Sequence, residues 1–292
     1  MAKVFGINTK IRGKVGEYIY RQTKVGTIVS EAPVKPITPL RTQRQMSIRT
    51  QWANLGAIYK QFDSMLRRGF EALPPQMSVY NAFIQANLGV VKVYITKTMK
   101  LNGGAILAPY QITRGSLPSI SMAVNSGNKL VSSVRLGTLT ISSTTTVAQF
   151  SQAVIDNNPA FLEGDQLTFF HGIQSVDTVT RTPRATINGY KVVLNTADDT
   201  PLWDVVSQLG FSVTDNCLAT SQQITNGAAV WVHSREAADG TLKVSTQFFY
   251  VENSALATYQ SNTAIIASVN SYGGINSAAV YLQPELNNTT TP

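Results

Sequence analysis

Apolar positions change their spacing twice along the chain, and the changes delimit its elements. Over Gly13-Lys14-Val15-Gly16-Glu17-Tyr18-Ile19-Tyr20-Arg21 the apolar and charged residues interleave, with strand-forming Val15, Tyr18 and Tyr20, so this stretch is predicted to be extended. Thr23-Lys24-Val25-Gly26 supplies a turn, and Thr27-Ile28-Val29-Ser30 returns as the second arm of a hairpin. Pro33, Pro36 and Pro39 then hold an extended connector, because proline fixes its own φ and keeps the residue before it out of the helical region. A long helix is predicted from Thr38 or just after it, with Pro39 at a position that tolerates proline. Ile48, Trp52, Leu55, Tyr59, Phe62 and Leu66 recur at helical spacing and predict a single packed stripe. Arg49, Lys60 and Arg67 fall together about a quarter-turn away and form a basic flank. Gly69 is the predicted stop. After Pro74-Pro75, Ser78 caps a shorter helix bearing Val79, Phe83, Ile84 and Leu88, which ends at Gly89.

Beyond residue 90 the pattern turns to strands. Residues 90–95, 129–143, 166–176, 185–194 and 211–214 are the candidates, and the clearest hairpin joins 228–234 to 242–250 through Asp239-Gly240. Short helices are expected near 145–156, 201–209 and 254–270, and residues 287–292 read as a polar tail. No fixed-period repeat occurs, which excludes a solenoid or propeller. The expected class is therefore α+β: an N-terminal β-hairpin with two helices, then a β-rich, sandwich-like region with short helices. The corresponding division is a basic module over 1–115 and an acidic β-rich domain over 116–292.

Charge changes this picture. Only 14% of the 292 residues are charged, against about 25% in an average chain, and Ser, Thr, Asn and Gln take over much of the surface role. Such a surface suits a subunit that buries part of itself against others, since interface cores are depleted of charge. The net charge of +8 is also unevenly placed. Residues 1–120 hold 17 lysines and arginines against 4 acids (Glu17, Glu31, Asp63, Glu71), a balance of +13. Residues 121–292 hold 7 against 12, a balance of −5. That asymmetry predicts different partners for the two parts: head-to-tail packing of copies, or a basic foot on nucleic acid or an acidic protein shell. No run of 18 uncharged apolar residues and no leader-like apolar segment occurs, so neither a membrane span nor a signal peptide is expected.

Catalytic chemistry finds little support. The two histidines, His171 and His233, lie in predicted strands with no Gly-x-Ser-x-Gly element, and each reads as a structural residue held by local hydrogen bonds. Cys217, the single cysteine, reads as core and excludes an internal disulfide. Asp198-Asp199 leads through Thr200-Pro201 into a helix cap, and neither Gly103-Gly104 nor Gly273-Gly274 continues as a phosphate loop. No catalytic residue, metal site or cofactor is expected. Lys10, Arg12, Lys14, Arg21 and Lys24 surround Tyr18 and Tyr20, a mixture that can follow phosphates and stack on bases, although no zinc-finger or RNP signature accompanies it.

The same N-terminal residues carry a resemblance. Arg12-Gly13-Lys14-Val15-Gly16, Tyr20-Arg21, Gly26 and Pro36-Ile37-Thr38-Pro39-Leu40-Arg41-Thr42-Gln43-Arg44-Gln45 with Arg49 resemble a module that opens uncharacterised proteins of tailed phages and prophages of gut Bacteroidetes, crAss-like phages among them. The similarity covers about the first 90 residues, with Leu40 where that family often has Asn or Arg; Ser234-Arg235, Asp239-Gly240 and Val244-Ser245-Thr246 resemble a later hairpin of the same proteins. What this implies is a non-enzymatic virion structural protein, an auxiliary component of the capsid shell or head–tail connector, assembled in the host cytoplasm. Its implied partners are other virion proteins (capsid, portal or connector subunits) and itself, with nucleic acid secondary and no membrane. The alternative is a DNA-binding or packaging-associated protein. In either case the expected contact residues are Lys10, Arg12, Lys14, Arg21, Lys24, Arg49, Lys60 and Arg67.

Overall fold

The computed structural model describes residues 12–22, 26–32, 42–62 and 69–273. It opens with β1 (Gly13–Val15), β2 (Tyr18–Gln22) and β3 (Thr27–Glu31), followed by helices α1 (Gln43–Phe62), α2 (Val79–Asn87) and α3 (Lys97–Leu101). Then come β4 (Gln111–Thr113), β5 (Met122–Val124), β6 (Lys129–Arg135) and α4 (Val147–Asn157). The long strands β7 (Gln166–Val176) and β8 (Pro183–Val193) precede α5 (Leu202–Val205). The chain continues through β9 (Ser212–Thr214), β10 (Cys217–Gln223), β11 (Gly227–Glu236), β12 (Leu242–Val244), β13 (Gln247–Phe248) and β14 (Tyr250–Glu252) to α6 (Leu256–Gln260) and α7 (Asn262–Ser271). The class is α+β, with a β-rich C-terminal region.

One sheet organises the rest. Its strands run β12-β11-β7-β8, with β14 also on β11, and all its pairs are antiparallel. Side chains alternate across a strand, so Phe169 and Trp231, which are in register, face one layer, while Phe170 and Val230 face the other. The first layer is closed by the sheet β5-β6-β10-β9 and by α4, through Leu130, Val134, Leu218 and Phe150. The second is closed by α1, α2 and the buried stretch 105–108, through Leu55, Ile58, Phe62 and Phe83. This core therefore joins residues from both sides of position 115. Covering β11 on both faces explains why Ala228-Ala229-Val230-Trp231-Val232 is an unbroken apolar run.

Several predicted boundaries move. The extended stretch over 13–21 is two strands, because Gly16 takes a positive φ of 57° and turns the chain, making the hairpin a three-stranded sheet. Helix α1 runs from Gln43, and Thr38 and Pro39, where a start was expected, lie outside the described residues; Thr42 Oγ1 accepts the Gln45 N–H, and Gln45 Oε1 accepts the Thr42 N–H. The predicted strand over 90–95 joins no ladder; Val91, Val93, Tyr94 and Ile95 are buried, and the Tyr94 N–H donates to the Tyr259 carbonyl of α6. The arm expected over 242–250 breaks after Val244, where β13 leaves β11 to pair with β4. Ser78 caps α2 as expected, by accepting the Asn81 N–H.

The largest correction concerns α1. Its buried face is Met46, Thr50, Gln51, Asn54, Leu55, Ile58 and Phe62, whereas Ile48 and Trp52 of the predicted stripe are exposed. Two of the polar residues on the buried side, Thr50 and Asn54, are specifically paired, whereas the buried Gln51 Oε1 has no hydrogen-bond partner. Asn54 donates to the Ile106 carbonyl at 3.1 Å and accepts the Ile106 N–H at 2.8 Å, and Thr50 donates to the Ser47 carbonyl at 2.8 Å.

Candidate partner-binding surfaces of the N-terminal module

The described candidate residues divide between two surfaces. Arg12, Lys14 and Arg21 belong to the N-terminal sheet, and Arg49 and Lys60 to α1; all five are exposed. Lys10, Lys24 and Arg67 lie outside the described residues.

The N-terminal sheet has two unlike faces. Register places Val15 beside Tyr18 and Glu31, and Tyr20 beside Val29, on one side. Lys14 and Ile19 beside Ser30, and Arg21 beside Ile28, lie on the other, and Arg12 joins Lys14 there by the two-residue repeat. One face is aromatic and apolar, the other cationic. Among the described residues, none of the three strands enters a hydrophobic core, and Val15, Tyr18, Ile28 and Val29 stay 45–51% exposed. A three-stranded sheet normally needs a covered apolar face to be stable.

The second surface is an open groove of about 640 Å³ along α1. Ala53, Gly56 and Ala57 are small enough to leave a hollow between Trp52 and Tyr80 of α2. A Cβ on Gly56 would come within 3.4 Å of the Tyr80 hydroxyl. Trp52 is held upright by its Nε1–H, which donates to Tyr80 Oη at 2.8 Å, and Tyr80 stands edge-on to Tyr59 with centroids 5.0 Å apart. Arg49, Lys60 and Lys100 rim the hollow, and no acidic residue lines it. Among the described residues none of these three cations forms an ion pair. Burial raises the nearby Tyr272 phenol above its ordinary value, with Arg49 opposing that shift. Sequence reasoning missed Lys100, which sits in another helix, and assigned Trp52 to the core.

The titratable groups of the β-rich region meet elsewhere. His233 of β11 is buried, stacked on Phe161 at 4.0 Å, with Nε2 2.7 Å from Asp165 Oδ2. Arg235 holds the same carboxylate through Nε at 2.6 Å and Nη2 at 2.7 Å and also donates to the Ala160 carbonyl. Burial pushes the Asp165 carboxyl up, but the hydrogen bonds from Arg235 and His233 outweigh it and bring it down to about 2. An ionised carboxylate only accepts, so His233 donates through Nε2–H; its buried Nδ1 has no hydrogen-bond partner. The expectation of purely local bonds for His233 is thus corrected: its partner is 68 residues away, and one ring nitrogen is unsatisfied. His171 is half-buried in β7, and burial lowers its pKa. Cys217 is half-buried rather than fully within the core. Among the described residues no three His, Cys, Asp or Glu side chains are grouped to hold a metal ion, and no helix is long and apolar enough to cross a membrane.

Compared with known proteins, the chain matches no family model, no curated protein and no solved structure.

Proposed function

We propose that this chain is a non-enzymatic structural protein of a tailed-phage virion, an auxiliary component that docks on the capsid shell or head–tail connector through its N-terminal module. The observation that carries the reading is the N-terminal sheet, with one exposed aromatic-apolar face, one cationic face and no place in the cores formed by the described residues. A surface of that kind is stabilised by a partner. The low charge of the chain, the +13 balance of residues 1–120 and the resemblance of the first 90 residues to a phage module support the same reading.

A DNA-binding role is the second reading, favoured by Arg12, Lys14 and Arg21 sharing one sheet face. Co-sedimentation separates the two. Binding of the purified chain to DNA-free particles of the encoding phage, lost in a Lys14→Glu/Arg21→Glu variant, supports docking. Duplex binding that weakens roughly 40-fold between 50 and 200 mM salt, as release of counterions from three phosphates requires, with no particle binding, supports the second reading and overturns the first.

A further inference from the structure

Natural sheets protect their edges by shortness, charge, proline or bulges, because an open edge recruits another strand. Across the described residues the edges follow this rule with one exception. The β1 edge is three residues with Lys14 at its centre, and the β12 edge is three residues with Lys243 at its centre. The β5 and β9 edges are three residues each, and the long β8 edge carries Pro183, Arg184 and Lys191. Strand β3, Thr27-Ile28-Val29-Ser30-Glu31, has none of these devices in its interior. It is five residues long, three of the five are β-branched apolar or threonine, its register with β2 is unbroken, and every residue is exposed. It forms the outer strand of its sheet.

We infer that β3 is a self-association edge, at which a second copy of this chain adds its own β3 antiparallel across a two-fold axis at Val29. The sequence is self-complementary in that register. Val29 lies opposite the partner's Val29, Ile28 opposite the partner's Ser30, and Glu31 opposite the partner's Thr27, so no like charges are opposed. Slipping by one residue would set the apolar face of one copy beside the cationic face of the other. The chosen register instead joins the two apolar faces, with the two Val29 side chains meeting at the seam and each Tyr20 one strand behind its Val29. Charge also selects β3 over β1. The Arg21 positions of the two copies are three strand spacings apart and two residues out of line, about 16 Å, beyond the Debye length at physiological salt. A seam at β1 would instead bring the two Lys14 side chains together. The product is a six-stranded sheet with the cations of both copies on one side. This inference is independent of the virion reading, since it concerns only how two copies pair.

The test uses the full chain with its single native thiol removed. In a Cys217→Ser background, Val29→Cys places two thiols directly opposite, at the Cα separation of about 4.5–5.5 Å that antiparallel neighbours have and disulfides accept. Thr27→Cys serves as the control, because the two Thr27 positions are four residues out of line, about 13 Å apart. Light scattering of the unmodified chain is expected to give twice the chain mass. Copper–phenanthroline oxidation is expected to crosslink most of the Val29→Cys protein and at least tenfold less of the Thr27→Cys protein. A chain that remains monomeric at high concentration overturns the inference. So does a dimer in which Val29→Cys fails to crosslink, or crosslinks no better than Thr27→Cys.

Discussion

Asp165 is 1% exposed and ties its own loop to β11: it takes a bidentate bond from Arg235 and a third from His233, and accepts the Leu162 N–H at 2.8 Å. Its carboxyl is held at about 2 when folded, against about 3.9 for an unperturbed aspartate. The folded value is the lower one, so the carboxylate contributes its full stability above about pH 4 and loses it as the pH falls from there towards 2. Asp165→Asn is expected to cost about 3–5 kcal/mol at neutral pH, because Arg235 loses a buried countercharge and His233 its carboxylate acceptor. Urea unfolding at pH 6 measures that loss. Far-UV circular dichroism between pH 2 and 5 should show a shallower acid transition in the variant, since Asp177, Asp198 and Asp239, whose hydrogen bonds also lower their pKa values, retain their share. Asn54→Leu should cost about 1–3 kcal/mol by leaving both backbone groups of Ile106 without a partner.

At the scale of elements, α1 separates two kinds of aromatic residue on one helix. Phe62 is 1% exposed and lies edge-on to Phe170 at 5.5 Å, so Phe62→Ala is expected to cost about 3–5 kcal/mol. Trp52 is 43% exposed, and its truncation removes one hydrogen bond to Tyr80, a loss of about 1 kcal/mol. Equilibrium unfolding of the two variants checks the order; equal losses would return Trp52 to the core. The predicted stripe failed here for a definable reason. Helical periodicity locates an apolar face, but α1 buries a neighbouring face whose Thr50 and Asn54 are satisfied by hydrogen bonds. The strands of the central sheet were more legible. The run at 228–232 and the buried stretch 167–170 are both covered on two faces, which is why neither alternates.

At the scale of the whole molecule, Arg49, Lys60 and Lys100 rim one groove that no acidic residue lines, and none of the three forms an ion pair among the described residues. Reversing Arg49, Lys60 and Lys100 to glutamate is expected to leave the unfolding midpoint nearly unchanged, since all three are exposed, and to prevent incorporation into particles by turning attraction into repulsion. Quantifying the variant in purified particles checks this, and normal incorporation would mean that the groove faces solvent. Association through the N-terminal module should weaken with salt without vanishing, because apolar burial at Val15, Tyr18, Tyr20 and Val29 survives screening. Measuring affinity between 50 and 500 mM salt tests that expectation.

The sequence by itself determined the α+β class, the long strands of the central sheet, the Ser78 cap and the basic bias of the first 120 residues. These are local or additive properties: a cap needs a side chain three residues from its N–H, a strand needs a period, and charge needs only counting. Only the tertiary structure decided which side of α1 is buried, because the groups that satisfy Asn54 come from Ile106, 52 residues away. It alone assembled Asp165, His233 and Arg235, whose bonds span 68 and 70 residues. It alone divided the N-terminal sheet into a cationic and an apolar face, because the turn at Gly16 sets the pairing that carries each side chain to its face. Contacts between residues distant in sequence depend on how the layers close, and no window of local spacing contains that information.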